Sequence, residues 1–207
     1  MIPDFSVDIR YDYELARLRT DLTAEKVASG FVEHQEYECL GLPGWQEVAE
    51  CLAAEAEILE QAARSRAPDG IEEILEAVHE EDDVEFAELM SVFRGNDVGV
   101  AGVSLALSAA RTATFYSCSG GEDHRAEYPM VGVVPDSERA LLIAKLARST
   151  GCGIGQQSGR WYVYARSVTA LHALAQSVLE HREAFDALPQ PEWVDGLEEE
   201  LERINDW

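Results

Sequence analysis

Asp97-Val98-Gly99-Val100-Ala101-Gly102-Val103-Ser104-Leu105-Ala106-Leu107-Ser108-Ala109-Ala110-Arg111-Thr112-Ala113-Thr114-Phe115-Tyr116-Ser117-Cys118-Ser119-Gly120-Gly121 is where the pattern of this chain changes period. Val98 to Ala110 is small and apolar on every side, which is how a buried helix reads. Gly99 and Gly102 would let another element approach it closely. Thr112 to Cys118 then reads as a strand, and Met130 to Val134, bounded by Pro129 and Pro135, as a second. Ser137 to Ser149 predicts a helix stopped at Gly151. Cys152 to Gln157 and Arg160 to Arg166 predict a hairpin around Ser158-Gly159. Ser167 caps a long helix carrying Leu171, Leu174, Val178, Phe185 and Leu188. The order after residue 96 is therefore α-β-β-α-β-β-α. That predicts an α+β fold, a layer of helices on a largely antiparallel sheet.

Upstream, the pattern is mainly helical. Phe5, Val7 and Ile9 alternate with Ser6 and Asp8 and suggest a short strand. Tyr11 to Arg19 and Thr23 to about Leu40 read as helices, the second N-capped by Thr23. Gly41-Leu42-Pro43-Gly44 is a break. Trp45 to Arg66 carries an apolar stripe of Trp45, Val48, Leu52 and Leu59, and Ala67-Pro68-Asp69-Gly70 ends it. Two short amphipathic helices follow, with stripes Ile71, Ile74, Leu75, Val78 and Phe86, Leu89, Met90, Phe93. Either stripe could close on the chain's own core or form a groove for a partner. Gly95-Asn96-Asp97 restarts the chain, with Asn96 or Asp97 as N-cap. Pro189-Gln190-Pro191 sets off a tail bearing Trp193 and Trp207, able to dock on its own core or on a second copy as a homodimer. The chain thus divides into an acidic helical region (1–95), an α+β core (96–190) and an acidic tail (191–207), expected to form one compact unit.

Forty acids against sixteen Lys and Arg give a net charge of −24. Residues 1–95 hold 24 acids and 7 bases, a net of −17. Residues 96–190 are close to neutral, with 9 acids and 8 bases, and residues 191–207 have 7 acids and 1 base. Such a chain repels phosphates and has no basic face from which to release counterions. Direct nucleic-acid binding is not expected, nor is attachment to an anionic membrane. A basic protein is the partner that the charge favours. Met-Ile-Pro-Asp-Phe at the start lacks a basic, then apolar, signal sequence. Cys39, Cys51, Cys118 and Cys152 are scattered without CxxC pairing. The expectation is a cytoplasmic, bacterial-type protein with reduced thiols.

The residues that could carry chemistry follow the first strand: Ser117, Cys118, Ser119, Gly120, Gly121 and His124. Small polar residues and two glycines after a strand suit a tight loop whose backbone N–H groups could face an anion. Cys118 is a candidate nucleophile and His124 a candidate base that would make its thiolate. A plain glycine turn with a packed Cys and a solvent His satisfies the same spacing. Glu76 and His79 have the i, i+3 spacing of a di-iron ligand pair, but no second copy follows. Glu80-Glu81-Asp82-Asp83 lacks calcium-loop spacing. Gly151-Cys152-Gly153-Ile154-Gly155 follows a helix and enters a strand, the reverse of a dinucleotide fingerprint. No metal site or cofactor is expected. His172 and His181 fall on the long C-terminal helix, where packing or solvent accounts for them.

The run from Asp97 to Ala110, then Phe115-Tyr116-Ser117-Cys118-Ser119-Gly120-Gly121, His124 and Tyr128-Pro129-Met130-Val131, resembles a group of uncharacterised bacterial proteins. Those have a GVAG helix, an S-C-N/S-G-G loop with following histidines, and a proline-led strand. The resemblance covers roughly residues 96–166 and implies no known activity. More distantly, Ser117-Cys118-Ser119-Gly120 is similar to the S-S-C-S-G loop of the tRNA wybutosine-synthesising methyltransferase family, which uses S-adenosylmethionine. This chain departs from both patterns: the histidine stretch is reduced to His124, and −24 repels tRNA. On balance the residues point to a binding or inhibitory protein engaging a basic partner. The alternative is a small-ligand-binding protein or enzyme using the Ser117–His124 loop.

Overall fold

The computed structural model describes residues 1–30, 38–67, 70–121 and 124–205. At its centre is a helix, α5 (Ala101–Ala109), with all of its residues buried. Small side chains let its neighbours come close. α2 (Trp45–Arg64) and α7 (Val168–Glu180) both pack on it. A Cβ on Gly99 would stand 2.3 Å from Cβ of Val168, and one on Gly102 would stand 2.7 Å from Cδ2 of Leu52.

A five-stranded sheet lies beside it in the order β1-β4-β5-β3-β2. The strands are β1 (Tyr11–Asp12), β2 (Ala113–Cys118), β3 (Met130–Val134), β4 (Gly153–Gln157) and β5 (Arg160–Tyr164). Every neighbouring pair is antiparallel except β1 with β4. With α6 (Ser137–Thr150) between β3 and β4, residues from 101 onward follow the α-β-β-α-β-β-α order of an α+β fold. The local signals act as expected. Asp136 accepts hydrogen bonds from the Glu138 and Arg139 N–H groups and starts α6, and Gly151 ends it at φ 75°. Ser158 (φ 51°) and Gly159 (φ 78°) supply the left-handed pair that a tight two-residue hairpin turn needs.

Alternation gives the sheet two different faces. Val131, Val163 and Ile154 share one cross-strand row and join the main core with α5, α6 and α7. That core also takes Val48, Cys51, Leu52 and Leu59 from α2, so residues before and after position 95 bury one another. On the other face, a bulge between Thr114 and Tyr116 turns both Phe115 and Tyr116 the same way. The Phe115 ring fills the space left over Gly132, its Cζ 2.7 Å from where a Cβ would stand. α1 (Ala24–Ala28), Trp193 and α9 (Leu197–Asn205) cover this side. Trp193 is 6% exposed, so it docks on its own core. Trp207 lies outside the described residues.

Several boundaries differ from the sequence expectation. Tyr11–Arg19 is not a helix. Tyr11 and Asp12 pair with Ile154 and Gly155, and only Leu15–Arg17 makes a 3-10 turn. The Tyr13 ring packs tilted against Trp161, centroids 4.6 Å apart, and Arg148 sits 4.5 Å over the Tyr11 ring. These aromatic contacts favour an edge strand over helix. The alternating Phe5–Ile9 segment forms no strand of its own: Val7 N–H turns back to Phe5 C=O, while Phe5 N–H donates to Arg166 C=O. Thr23 caps α1 as expected, but the helix stops at Ala28, where Gly30 takes φ 63°. Residues 31–37 of the expected longer helix lie outside the described residues, as do Pro68 and Asp69. The long C-terminal helix breaks at His181 into α7 and α8 (Arg182–Asp186).

α3 (Gly70–Glu81) and α4 (Asp83–Val92) form a helical hairpin turned by Asp82, which accepts from the Val84 and Glu85 N–H groups. The two stripes pack on the core and Phe93, just past α4, is fully buried there, yet no residue within α4 is buried and Gly70 alone is buried in α3. Among the described residues no helix is long and apolar enough to cross a membrane.

Candidate functional site

β2 ends at Cys118 and delivers the loop at the sheet edge. Strand alternation separates the candidate residues. Ser117 faces the helical side, where its Oγ donates to Asn96 Oδ1 at 2.8 Å. Cys118 faces the opposite, tyrosine-bearing side, in the row of Met130 and Tyr164. It is 5% exposed and bonded with Tyr116. Burial first, and then Cys118, pushes the Tyr116 phenol above its ordinary range. Ser119, Gly120, Gly121 and His124 line a different space, a cleft of about 480 Å³ between the loop and the α3–α4 hairpin. The fold brings Ser119 and His124 together, whereas Cys118, the candidate nucleophile, lies on the Tyr116 face of the sheet.

The loop amides are largely used inside the loop. Gly121 N–H donates to Ala126 C=O, and His124 N–H to Gly121 C=O. Gly120, at φ 80°, lets the chain pass Tyr128 and Pro129, where a Cβ would stand 2.5 Å from the Tyr128 carbonyl carbon. Ser119 N–H and Oγ both donate to Asp97 Oδ2, at 3.2 and 2.9 Å. The anion held here is thus the chain's own carboxylate. His124 Nδ1 lies 3.5 Å from Ser119 Oγ and 3.9 Å from Asp97 Oδ2. Serine and aspartate therefore share one imidazole nitrogen. A hydrolytic triad needs them on opposite nitrogens, so that the base can take the serine proton.

The cleft has an apolar floor and a polar rim. Phe5, Ile71, Leu75 and Met90 are half-buried along it, and Glu72 and Asp97 are exposed at its mouth. No Lys or Arg is among its described lining residues. A second groove, of about 540 Å³, opens on the far face of the sheet among Tyr116, Tyr128, Tyr162 and Tyr164, with Arg125 and Glu127 beside them. No group of three or more His, Cys, Asp or Glu suited to a metal occurs among the described residues.

A buried polar centre supports the cleft from behind. Glu55, on α2, is 0% exposed. Its Oε1 accepts from Gly99 N–H at 2.7 Å and Gly102 N–H at 3.2 Å. Its Oε2 lies 2.6 Å from His172 Nδ1, within hydrogen-bond reach. His172 Nε2 lies 3.0 Å from the amide nitrogen of Gln176. Neither Asn96 nor Asp97 caps α5 through its side chain. The Glu55 carboxylate takes that place from another helix, satisfying amides at the positive end of the dipole. Gly102 is what admits it, since a Cβ there would meet Oε2 at 2.6 Å.

Sequence reasoning missed Glu55 and the loop role of Asp97. The GVAG glycine spacing was the available signal for the first, because close approach invites a partner. Nothing local marks the second, whose partner is 22 residues away. His79, set beside Glu76 by sequence, pairs instead with Asp83 at 3.3 Å and stacks on Phe86.

No protein-family model, curated protein or solved structure matches the chain. The likenesses of the GVAG helix and the Ser-Cys-Ser-Gly loop remain resemblances of sequence.

Proposed function

We propose that this protein is a binding module for a basic protein partner, engaged through the α3–α4 hairpin and its surroundings. One observation carries the reading. From Gly70 to Phe93 the chain has nine carboxylates and no Lys or Arg. All nine are exposed. Among the described residues the hairpin carboxylate closest to a basic side chain is Asp83, its Oδ1 3.3 Å from His79 Nε2. Elsewhere four arginines pair with carboxylates outside the hairpin: Arg17 with Glu14, Arg64 with Glu60, Arg94 with Glu47, Arg203 with Glu200. The hairpin is left as a concentrated negative field. Such a field speeds association with a cationic surface and weakens as salt rises.

The test is a charge-neutralised hairpin. Glu72, Glu73, Glu76, Glu80 and Glu81 all changed to Gln would be compared with a variant carrying Glu198, Glu199, Glu200 and Glu202 changed to Gln on α9. Binding of an arginine- and lysine-rich peptide is followed by fluorescence polarisation at low and raised salt. At about 0.2–1 kcal/mol per exposed charge, the hairpin variant loses on the order of tenfold or more in affinity. Equal losses from both variants would reduce the effect to net charge and remove the hairpin's role.

A second reading, a small-ligand site or enzyme, draws on the contact of Asp97, Ser119 and His124 at the cleft mouth. Hydrolysis of p-nitrophenyl acetate that falls to the buffer rate in both Ser119→Ala and His124→Ala would favour it. Rates unchanged by either substitution would remove its enzymatic form.

A further inference from the structure

We infer that the cleft between the hairpin and the Ser119–His124 loop is an anchor pocket for one apolar side chain of a basic, extended polypeptide segment. This rests on the basic-partner reading and adds what that partner must present. The floor calls for an apolar group. Ile71, Leu75 and Met90, the hairpin residues that face the space, are half-buried, so burial left incomplete by the fold is available to a ligand.

The surroundings call for cations beside that group. Glu72 and Asp97 lie on the lining, with no Lys or Arg among the described lining residues. Ser119 N–H, a loop amide on the lining, is already occupied by Asp97. An acidic ligand would meet two carboxylates and, among the described lining residues, no Lys or Arg. A cationic one could approach the half-exposed Asp97 without displacing anything buried.

Length favours a polypeptide over a small amine. The pocket adjoins Ile71 and Met90, at one end of the antiparallel hairpin. Glu80, Glu81, Asp82 and Asp83 lie at the other end, around the α3–α4 turn. α3 has 12 residues, so it is about 18 Å long at 1.5 Å per residue. An extended segment of about six residues spans roughly 20 Å. Anchored by an apolar side chain in the cleft, such a segment lays its basic residues along the helix to the acidic turn.

Three synthetic nonapeptides test this against the purified full chain. The first alternates Lys and Arg around one central Leu, the second has Gly in place of that Leu, and the third keeps the Leu among Glu residues. Polarisation gives each affinity for the native protein and for Leu75→Gln combined with Met90→Gln. The first peptide is expected to bind about ten- to a hundredfold more tightly than the second, the worth of one buried leucine. The third should not bind. The paired substitution should abolish the Leu advantage and leave the Gly peptide unaffected. Equal binding of the Leu and Gly peptides, lost with salt, overturns the anchor pocket and keeps the basic-partner reading. Binding of neither basic peptide overturns both. Should the double variant fail to fold, amide shifts in the native protein decide. Shifts at Ile71, Met90, Ser119, Gly121 and His124 with the first peptide support the pocket, and shifts confined to other residues overturn it.

Discussion

Replacing Glu55 by Ala tests the buried centre behind the cleft. The substitution leaves the Gly99 and Gly102 N–H groups and His172 Nδ1 without their partner, in a region where Glu55 itself is 0% exposed. A buried donor without a partner costs about 1–3 kcal/mol, and three nitrogens lose their partner together here. Water entering the vacated space recovers part of that, so about 4 kcal/mol is expected. For a chain of this size, it corresponds to a fall in Tm of roughly 8–16 °C. Gly102→Ala should cost nearly as much by a different route, because the new Cβ would meet Glu55 Oε2 at 2.6 Å and evict the carboxylate. Once the carboxylate is gone, the second change has little left to break. The double variant should therefore fall short of additivity by about 2 kcal/mol or more in a double-mutant cycle. Urea denaturation followed by circular dichroism measures all four proteins. A loss below about 1 kcal/mol for Glu55→Ala, or strict additivity, would refute the capping role.

Other outcomes follow from the same geometry. Arg139 is 2% exposed and donates to Ala110 C=O, Asp136 and Pro189 C=O, so Arg139→Leu, which takes a donor from both carbonyls, should cost about 1–3 kcal/mol in denaturant melts. Burial pushes the Cys51 thiol up to about 12 and the Cys152 thiol up to about 11, keeping both protonated and unreactive. A thiol-reactive probe on native protein at pH 8 should therefore label half-buried Cys39 first. Rapid labelling of Cys118 would revive it as a nucleophile. The Gly44 N–H, and then Arg94, hold the Glu47 carboxyl below its ordinary value of 4.5. Its contribution to stability is complete above that value and is lost as pH falls through the lower folded one. Glu47→Gln should thus flatten part of the acid limb of a stability–pH curve while leaving the Cys labelling order unchanged.

Much of the fold was readable because its signals are local. A strand repeats every two residues and a helix every 3.6, so the α-β-β-α-β-β-α order showed in the positions of apolar residues. Thr23, Asp136 and Ser167 cap helices by reaching two or three residues along their own chain. Ser158 and Gly159 turn a hairpin whose strands they join directly. Each of these choices is decided by atoms a few residues apart, and the acidity of the hairpin is decided by composition alone.

What escaped the sequence depends on distance along the chain. Tyr11 and Asp12 are strand only because the edge of β4 offers them unpaired backbone groups. Cys118 and His124 are six residues apart in the sequence, yet strand alternation sends Cys118 to one face of the sheet while the loop returns His124 to the other side's cleft. Asp97 meets Ser119, and Glu55 meets His172 across 117 residues, through packing that no local period encodes. The sequence by itself determined the α-β-β-α-β-β-α order after residue 96, the α+β class and where the charge lies. Tertiary packing alone decided which side chains face one another, because a buried carboxylate takes whichever donors the completed core leaves beside it.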